Sequence, residues 1–170
     1  MIGYLFRTSL LFAILLVVAG CGFHLRGTGG DKISLTSISV TAANANGDMQ
    51  RMLERTLKES GVELTAKAPY TVHLTSEATT RRPVATTSDV QVAEYGLRLD
   101  IGFELTGAAG KTIIPDTTVS AERTYRFDTS SLVGNTEEEK LLYDEMRRDV
   151  ADQIISRIDA SVRTSMDKKP

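Results

Sequence analysis

"AEYGLRLDIGFEL", Ala93 to Leu105, decides the fold. Ala93, Tyr95, Leu97, Leu99, Ile101, Phe103 and Leu105 alternate with Glu94, Arg98, Asp100 and Glu104. Successive side chains of an extended chain point to opposite faces, so this is a strand with one buried and one wet face. Unbroken alternation from 93 to 105 spans roughly 43 Å at about 3.3 Å per residue.

The neighbouring sequence supplies its partners. Gly107-Ala108-Ala109-Gly110 turns the chain back, and Val119, Ala121, Tyr125 and Phe127 carry the apolar phase of another long strand, Thr117 to Asp128. Upstream, Tyr70, Val72, Leu74, Ser76 and Ala78 alternate with Thr71, His73, Thr75, Glu77 and Thr79. That strand is expected to end in a turn at Thr80-Arg81-Arg82-Pro83, where proline blocks further pairing. Ile33 to Val40 reads as the first strand. Its apolar phase changes between Leu35 and Ile38, which implies a bulge or twist.

Two helices complete the pattern. Met49, Met52, Leu53 and Leu57 form the stripe of a helix over about 48–60, with Asp48 at its positive end and Gly61 as its stop. The last helix is predicted from Thr136 to about Thr164, capped by Asn135 or Thr136. Thr136 and Glu139 make a capping box, and Leu142, Met146, Val150, Ile154, Ile158 and Val162 form the stripe. At about 1.5 Å per residue it reaches roughly 43 Å, enough to lie along the long strands. The order β-α-β-β-β-α predicts an α+β two-layer sandwich: a four-stranded mixed sheet with both helices on one face.

The start of the chain has a different character. Met1 to Ser9 carries one basic side chain, Arg7, and Leu10 to Ala19 is wholly apolar. Ten residues are too few for a spanning helix, which needs about 20, and they fit a secretory leader. The only cysteine follows, so no disulfide framework exists. Val18-Ala19-Gly20-Cys21 resembles the lipobox of bacterial lipoproteins. That resemblance implies a diacylglycerol on the Cys21 sulfur, cleavage before Cys21 and acylation of the new amino terminus. Gly22, where an Asp would favour inner-membrane retention, implies the outer membrane. The organisation expected is a signal peptide at 1–20, a lipidated tether at 21–31 loosened by Gly27, Gly29 and Gly30, and one domain at 32–170.

The chain holds 20 basic and 22 acidic residues. There is no basic excess of the kind nucleic-acid binding requires. No catalytic constellation is present either. His24 lies in the tether, His73 on the polar phase of a strand, and neither has cysteines or carboxylates at metal-ligand spacing. Glu137-Glu138-Glu139 reads as a helix start. The expectation is a protein that is not an enzyme and takes no metal or cofactor beyond the lipid on Cys21. What remains is surface. Arg81 and Arg82 present two guanidiniums at a strand-turn tip. Arg123 shares the apolar phase of Ala121 and Tyr125, so it either reaches past the sheet edge or serves a ligand. His73, Glu77, Arg98, Asp100, Glu104, Glu122 and Arg126 make the polar face wettable.

Cys21-Gly22-Phe23-His24-Leu25-Arg26-Gly27 resembles the mature start of the LptE family of lipopolysaccharide (LPS) assembly lipoproteins. Gln91-Val92-Ala93-Glu94-Tyr95 and Arg123-Thr124-Tyr125-Arg126-Phe127-Asp128 resemble two further stretches of that family, and the element order fits. The resemblance implies an outer-membrane lipoprotein that plugs the β-barrel protein LptD. Together the two receive LPS from a periplasmic bridge and insert it into the outer leaflet. The family binds LPS through basic residues, which maps here onto Arg81, Arg82, Arg123 and Arg126. The alternative is a stand-alone periplasmic carrier or chaperone for an amphiphile, with no barrel.

Overall fold

A computed structural model describes residues 33–86 and 92–167. Their order is β1 (Ser37–Ala42), α1 (Asp48–Glu59), β2 (Glu63–Leu64), β3 (Thr71–Thr86), β4 (Val92–Thr106), β5 (Thr112–Arg126) and α2 (Leu132–Asp167). The expected leader, Cys21 and the tether lie outside the described residues. Among those described, no helix is long and apolar enough to cross a membrane.

The sheet runs β2-β1-β3-β4-β5. β1 is parallel to β2 and β3, and the β3-β4 and β4-β5 pairs are antiparallel. The mixed sheet therefore has five strands where four were expected. The extra one, β2, is a two-residue pairing of Glu63 and Leu64 with Ser37 and Ile38, too short to leave a period in the sequence. The first strand begins at Ser37 and not at Ile33, and β5 begins at Thr112, ahead of the Thr117 expected.

Burial follows the two periodicities. Leu97, Leu99, Ile101, Phe103 and Leu105 of β4 are all buried, as are Met146, Val150, Ile154, Ile158 and Val162 of α2 and Met49, Leu53 and Leu57 of α1. Among the described residues the buried core runs from Leu35 to Val162, and the chain from Ile33 onward is a compact unit with that core of its own. Gly61, at φ +80°, closes α1 as its position suggested. α2 starts four residues before the expected cap. Thr136 lies inside the helix, where its hydroxyl donates to the Leu132 carbonyl. The turn before α2 is held instead by the buried Asn135 side chain, which accepts from the Asp128 N–H at 3.0 Å and donates to the Asp128 carbonyl at 2.6 Å.

A bulge in β3 changes what faces the helices. Leu74 stands opposite Phe103 and Ser76 opposite Gly102, leaving Thr75 as the extra residue. One extra residue reverses every side chain after it. Glu77, Thr79 and Arg81 consequently oppose Ile101, Leu99 and Leu97 on the helix side. The expected apolar phase at Ser76 and Ala78, and Glu77 on the polar face, are both corrected. So is the turn at 80–83: β3 runs on to Thr86, with Pro83 opposite Tyr95. Proline is tolerated because β1 has ended at Ala42, and this half of β3 has only β4 beside it.

The bulge depends on Gly102. A Cβ there would stand 2.4 Å from Thr75 Oγ1 and 2.5 Å from Ser76 Oγ. The Thr75 hydroxyl instead donates to Asp116 of β5 at 2.7 Å. Gly102→Val is expected to cost about 1–3 kcal/mol through overpacking and to lower the melting temperature by several degrees. An unchanged thermal melt would mean that the bulge yields freely.

Candidate functional site

The four arginines gather at one end of the sheet, formed by the end of β3, the start of β4 and the end of β5. They do not form one cluster. Arg81 and Arg123 both oppose Leu97, from β3 and β5 respectively, and lie on the helix side. Arg82 opposes Gly96 and Arg126 opposes Glu94, on the uncovered face. The sequence reading put Arg81 and Arg82 together at a turn tip. In an extended strand, consecutive side chains point to opposite faces.

The helix-side pair is already engaged. The Arg81 guanidinium lies 3.8 Å from the centre of the Tyr95 ring and 5.9 Å from that of Phe127. Its Nε is 3.6 Å from Glu139 Oε2 of α2. Tyr95 stacks on Tyr125 at 5.9 Å and meets Phe127 edge-on at 5.2 Å. The Tyr125 hydroxyl donates to Glu139 at 3.0 Å. Burial, with the Glu139 carboxylate adding to it, pushes the Tyr125 phenol up to about 12. Glu139, expected in a capping box, thus ties the first turns of α2 to the sheet. Arg123 pairs with Asp149 of α2 and donates to the Glu122 carbonyl at 2.9 Å. It reaches past the edge strand, which resolves its place in the apolar phase.

The uncovered face is polar. Arg98 donates from Nε to Asp100 at 2.8 Å and from Nη1 to Glu122 at 2.7 Å. The Arg98 guanidinium and the Ser120 hydroxyl hold the Asp100 carboxyl below its usual range. His73 Nδ1 is 2.9 Å from Thr41 Oγ1. With Arg98 neutralised, Arg82 and Arg126 are the exposed cations at the arginine end of this face. Neither has an ion pair or side-chain hydrogen bond among the described residues. Gly96 makes room beside them. A Cβ there would meet Val84 Cγ1 at 2.9 Å and Arg82 Cγ at 3.7 Å. Val84 is 43 % exposed, and at the start of α2 Leu132 is 66 % and Val133 79 % exposed. Around Gly96 this face thus sets a cation, Arg82, beside an exposed apolar side chain, Val84, which suits a ligand with an anionic head and a greasy body.

Sequence reasoning missed Arg147. It is 14 % exposed and binds Glu77 of β3 at 3.3 Å, Asp144 at 3.1 Å and Asp48 of α1 at 3.6 Å. Only the unforeseen bulge turns Glu77 toward it. Among the described residues, no group of three or more His, Cys, Asp or Glu side chains could hold a metal ion.

Similarity to known proteins accords with this architecture. The chain is 26 % identical over 155 residues to the "LPS-assembly lipoprotein LptE" of Pectobacterium atrosepticum, covering 89 % of this chain and 83 % of the relative. It is 25 % identical over 160 residues to the protein of that name in Photorhabdus laumondii, covering 89 % and 84 %. In fold it resembles the rare lipoprotein B of Shewanella oneidensis, with a TM-score of 0.67, 20 % identity and coverage of 77 % of this chain and 98 % of the other. A lipoprotein B of Nitrosomonas europaea gives 0.69, 19 %, 86 % and 96 %. Residues 35–158, most of the folded domain, match the family model described as "LptE: Lipopolysaccharide-assembly", and the chain belongs to that family.

Proposed function

We propose that this is a non-enzymatic outer-membrane lipoprotein, anchored through Cys21, that plugs the LptD β-barrel and helps deliver LPS to the outer leaflet. The observation that carries the reading is the family match over residues 35–158. The chemistry of the surface supports it. A plug must present polar groups to a barrel lumen, whose lining is polar, and the uncovered sheet face is built from hydroxyls and charge pairs. Arg82 and Arg126, with Val84 beside Arg82 at Gly96, are the proposed LPS-contacting surface. Arg81 and Arg123 hold the helix that flanks it. The protein faces the periplasm and the barrel lumen.

Extraction of the outer membrane in mild detergent, followed by identification of what co-purifies, tests the partnership. A β-barrel in near-equal amount is expected. Recovery of the chain alone would favour the stand-alone amphiphile carrier. The anchor has its own test. Cys21→Ser is expected to abolish lipidation and leave the precursor uncut, and mass spectrometry of the mature amino terminus reads both. An unmodified Cys21 thiol in native protein would refute the anchor. The domain should fold either way, since the chain from Ile33 onward is a compact unit with its own buried core.

A further inference from the structure

A second surface lies at the other end of β4, away from Arg82 and Arg126. There the β4-β5 hairpin, the residues just before β3 and the last turns of α2 border an open cleft of about 830 Å³. Small-molecule sites commonly occupy about 300–1,000 Å³. Its apolar lining includes Tyr70 and Ile113, and Ala160 and Thr164 of α2 form the opposite wall. Gly107 lets the hairpin pack closely on the cleft's apolar side: a Cβ there would press on Ile113 Cδ1 at 2.8 Å. Lys111 is the one charged residue of the lining. It is exposed and has no ion pair among the described residues. A mainly apolar cleft with one exposed cation in its lining is complementary to an alkyl tail carrying an anionic head, and an ammonium group binds phosphate as a point charge.

We infer that this cleft binds the alkyl chain of a single-chain amphiphile with a phosphate head, Lys111 meeting the head and Tyr70, Ile113 and Ala160 the tail. The chain enters the fold at the same end. The Ser34 N–H donates to Asp159 of α2 at 2.6 Å, and Arg163 Nε donates to Ser34 Oγ at 2.7 Å. The inference does not rest on the LPS reading, which concerns the opposite end of β4.

The test titrates residues 33–170 with dodecyl phosphate below its micelle concentration and follows the Ile113 methyl signals. Binding that shifts Ile113 is expected. Octyl phosphate should bind at least tenfold more weakly, since each buried methylene is worth up to about fourfold. Ala160→Phe, an exposed position, should fill the cleft and weaken dodecyl phosphate about tenfold or more with an unchanged melt. Lys111→Glu should weaken dodecyl phosphate severalfold and leave uncharged dodecyl maltoside unaffected; this variant serves if Ala160→Phe fails to fold. No binding, affinity indifferent to both substitutions, or signals shifting at Val84 and Leu132 in place of Ile113 would overturn the cleft. The last result would leave the arginine surface standing, and failure of the Arg82 and Arg126 variants with LPS would leave the cleft standing.

Discussion

Ile154→Asp is expected to unfold the domain or destabilise it severely. Ile154 is fully buried in α2, amid the core that joins both helices to the sheet. A carboxylate there has no partner, and an unpaired buried charge belongs to the small class of substitutions costing about 4–5 kcal/mol or more. Domains are stable by only about 5–15 kcal/mol, so the loss takes about a third of the margin of the most stable domains and all of that of the least stable. Ser156, two residues on, is exposed. Ser156→Asp adds the same charge to the same helix and should change stability by no more than about 0.5 kcal/mol. Thermal melts of residues 33–170 compare the two. Similar losses at both sites would show that the helix does not bury the face assigned to it.

This contrast was legible because α2 keeps one period for most of its length, and β4 does the same. Ile154, Leu99 and Phe103 could be placed in the core from spacing alone. Legibility failed where one residue changed a phase or where contact depended on distant chain. Nothing local marks Thr75 as an extra residue, since threonine suits either face of a strand. Yet Thr75 decides that Glu77 meets Arg147 and that Arg81 meets Glu139. Pro83 looked like a terminator because a proline in a central strand would break a ladder. Its tolerance depends on where β1 ends, 41 residues upstream at Ala42. β2 escaped because two residues have no periodicity. Of the candidate site, the residue types were readable, and so was the placing of Arg123 and Arg126 on opposite faces of β5; the sorting of Arg81 from Arg82 was not. That sorting required the bulge, which puts Arg81 opposite Leu97 on the helix side and Arg82 opposite Gly96 on the other.

The sorting yields the prediction with the largest expected effect on ligand binding. Arg82 and Arg126 carry exposed charge with no ion pair among the described residues, so reversing them removes nothing that holds the fold together. Arg82→Glu with Arg126→Glu is expected to cut LPS capture by about tenfold or more, as the phosphates of LPS then meet carboxylates in place of two forked guanidiniums. The melting temperature should fall by no more than a few degrees, the cost of setting a new carboxylate at 126 opposite Glu94 across the exposed face, about 0.2–1 kcal/mol. Arg81→Glu with Arg123→Glu should behave in the opposite way. Each new carboxylate would face an acid of α2, Glu139 or Asp149, and Arg81 would also lose its place over Tyr95. The pairs and the ring contact are each worth about 0.5–1 kcal/mol, and repulsion adds to their loss, so the melt should fall by several degrees. Any fall in LPS capture should track that loss of structure and be recovered by swapping charges, with Arg123→Glu combined with Asp149→Arg. Because Arg82 and Arg126 are exposed, capture by the native domain should weaken as salt rises. Capture that survives reversal of Arg82 and Arg126 would move the LPS surface elsewhere on the molecule. Capture that ignores salt would assign the attraction to acyl chains, and would make Val84, Leu132 and Val133 the residues to replace next.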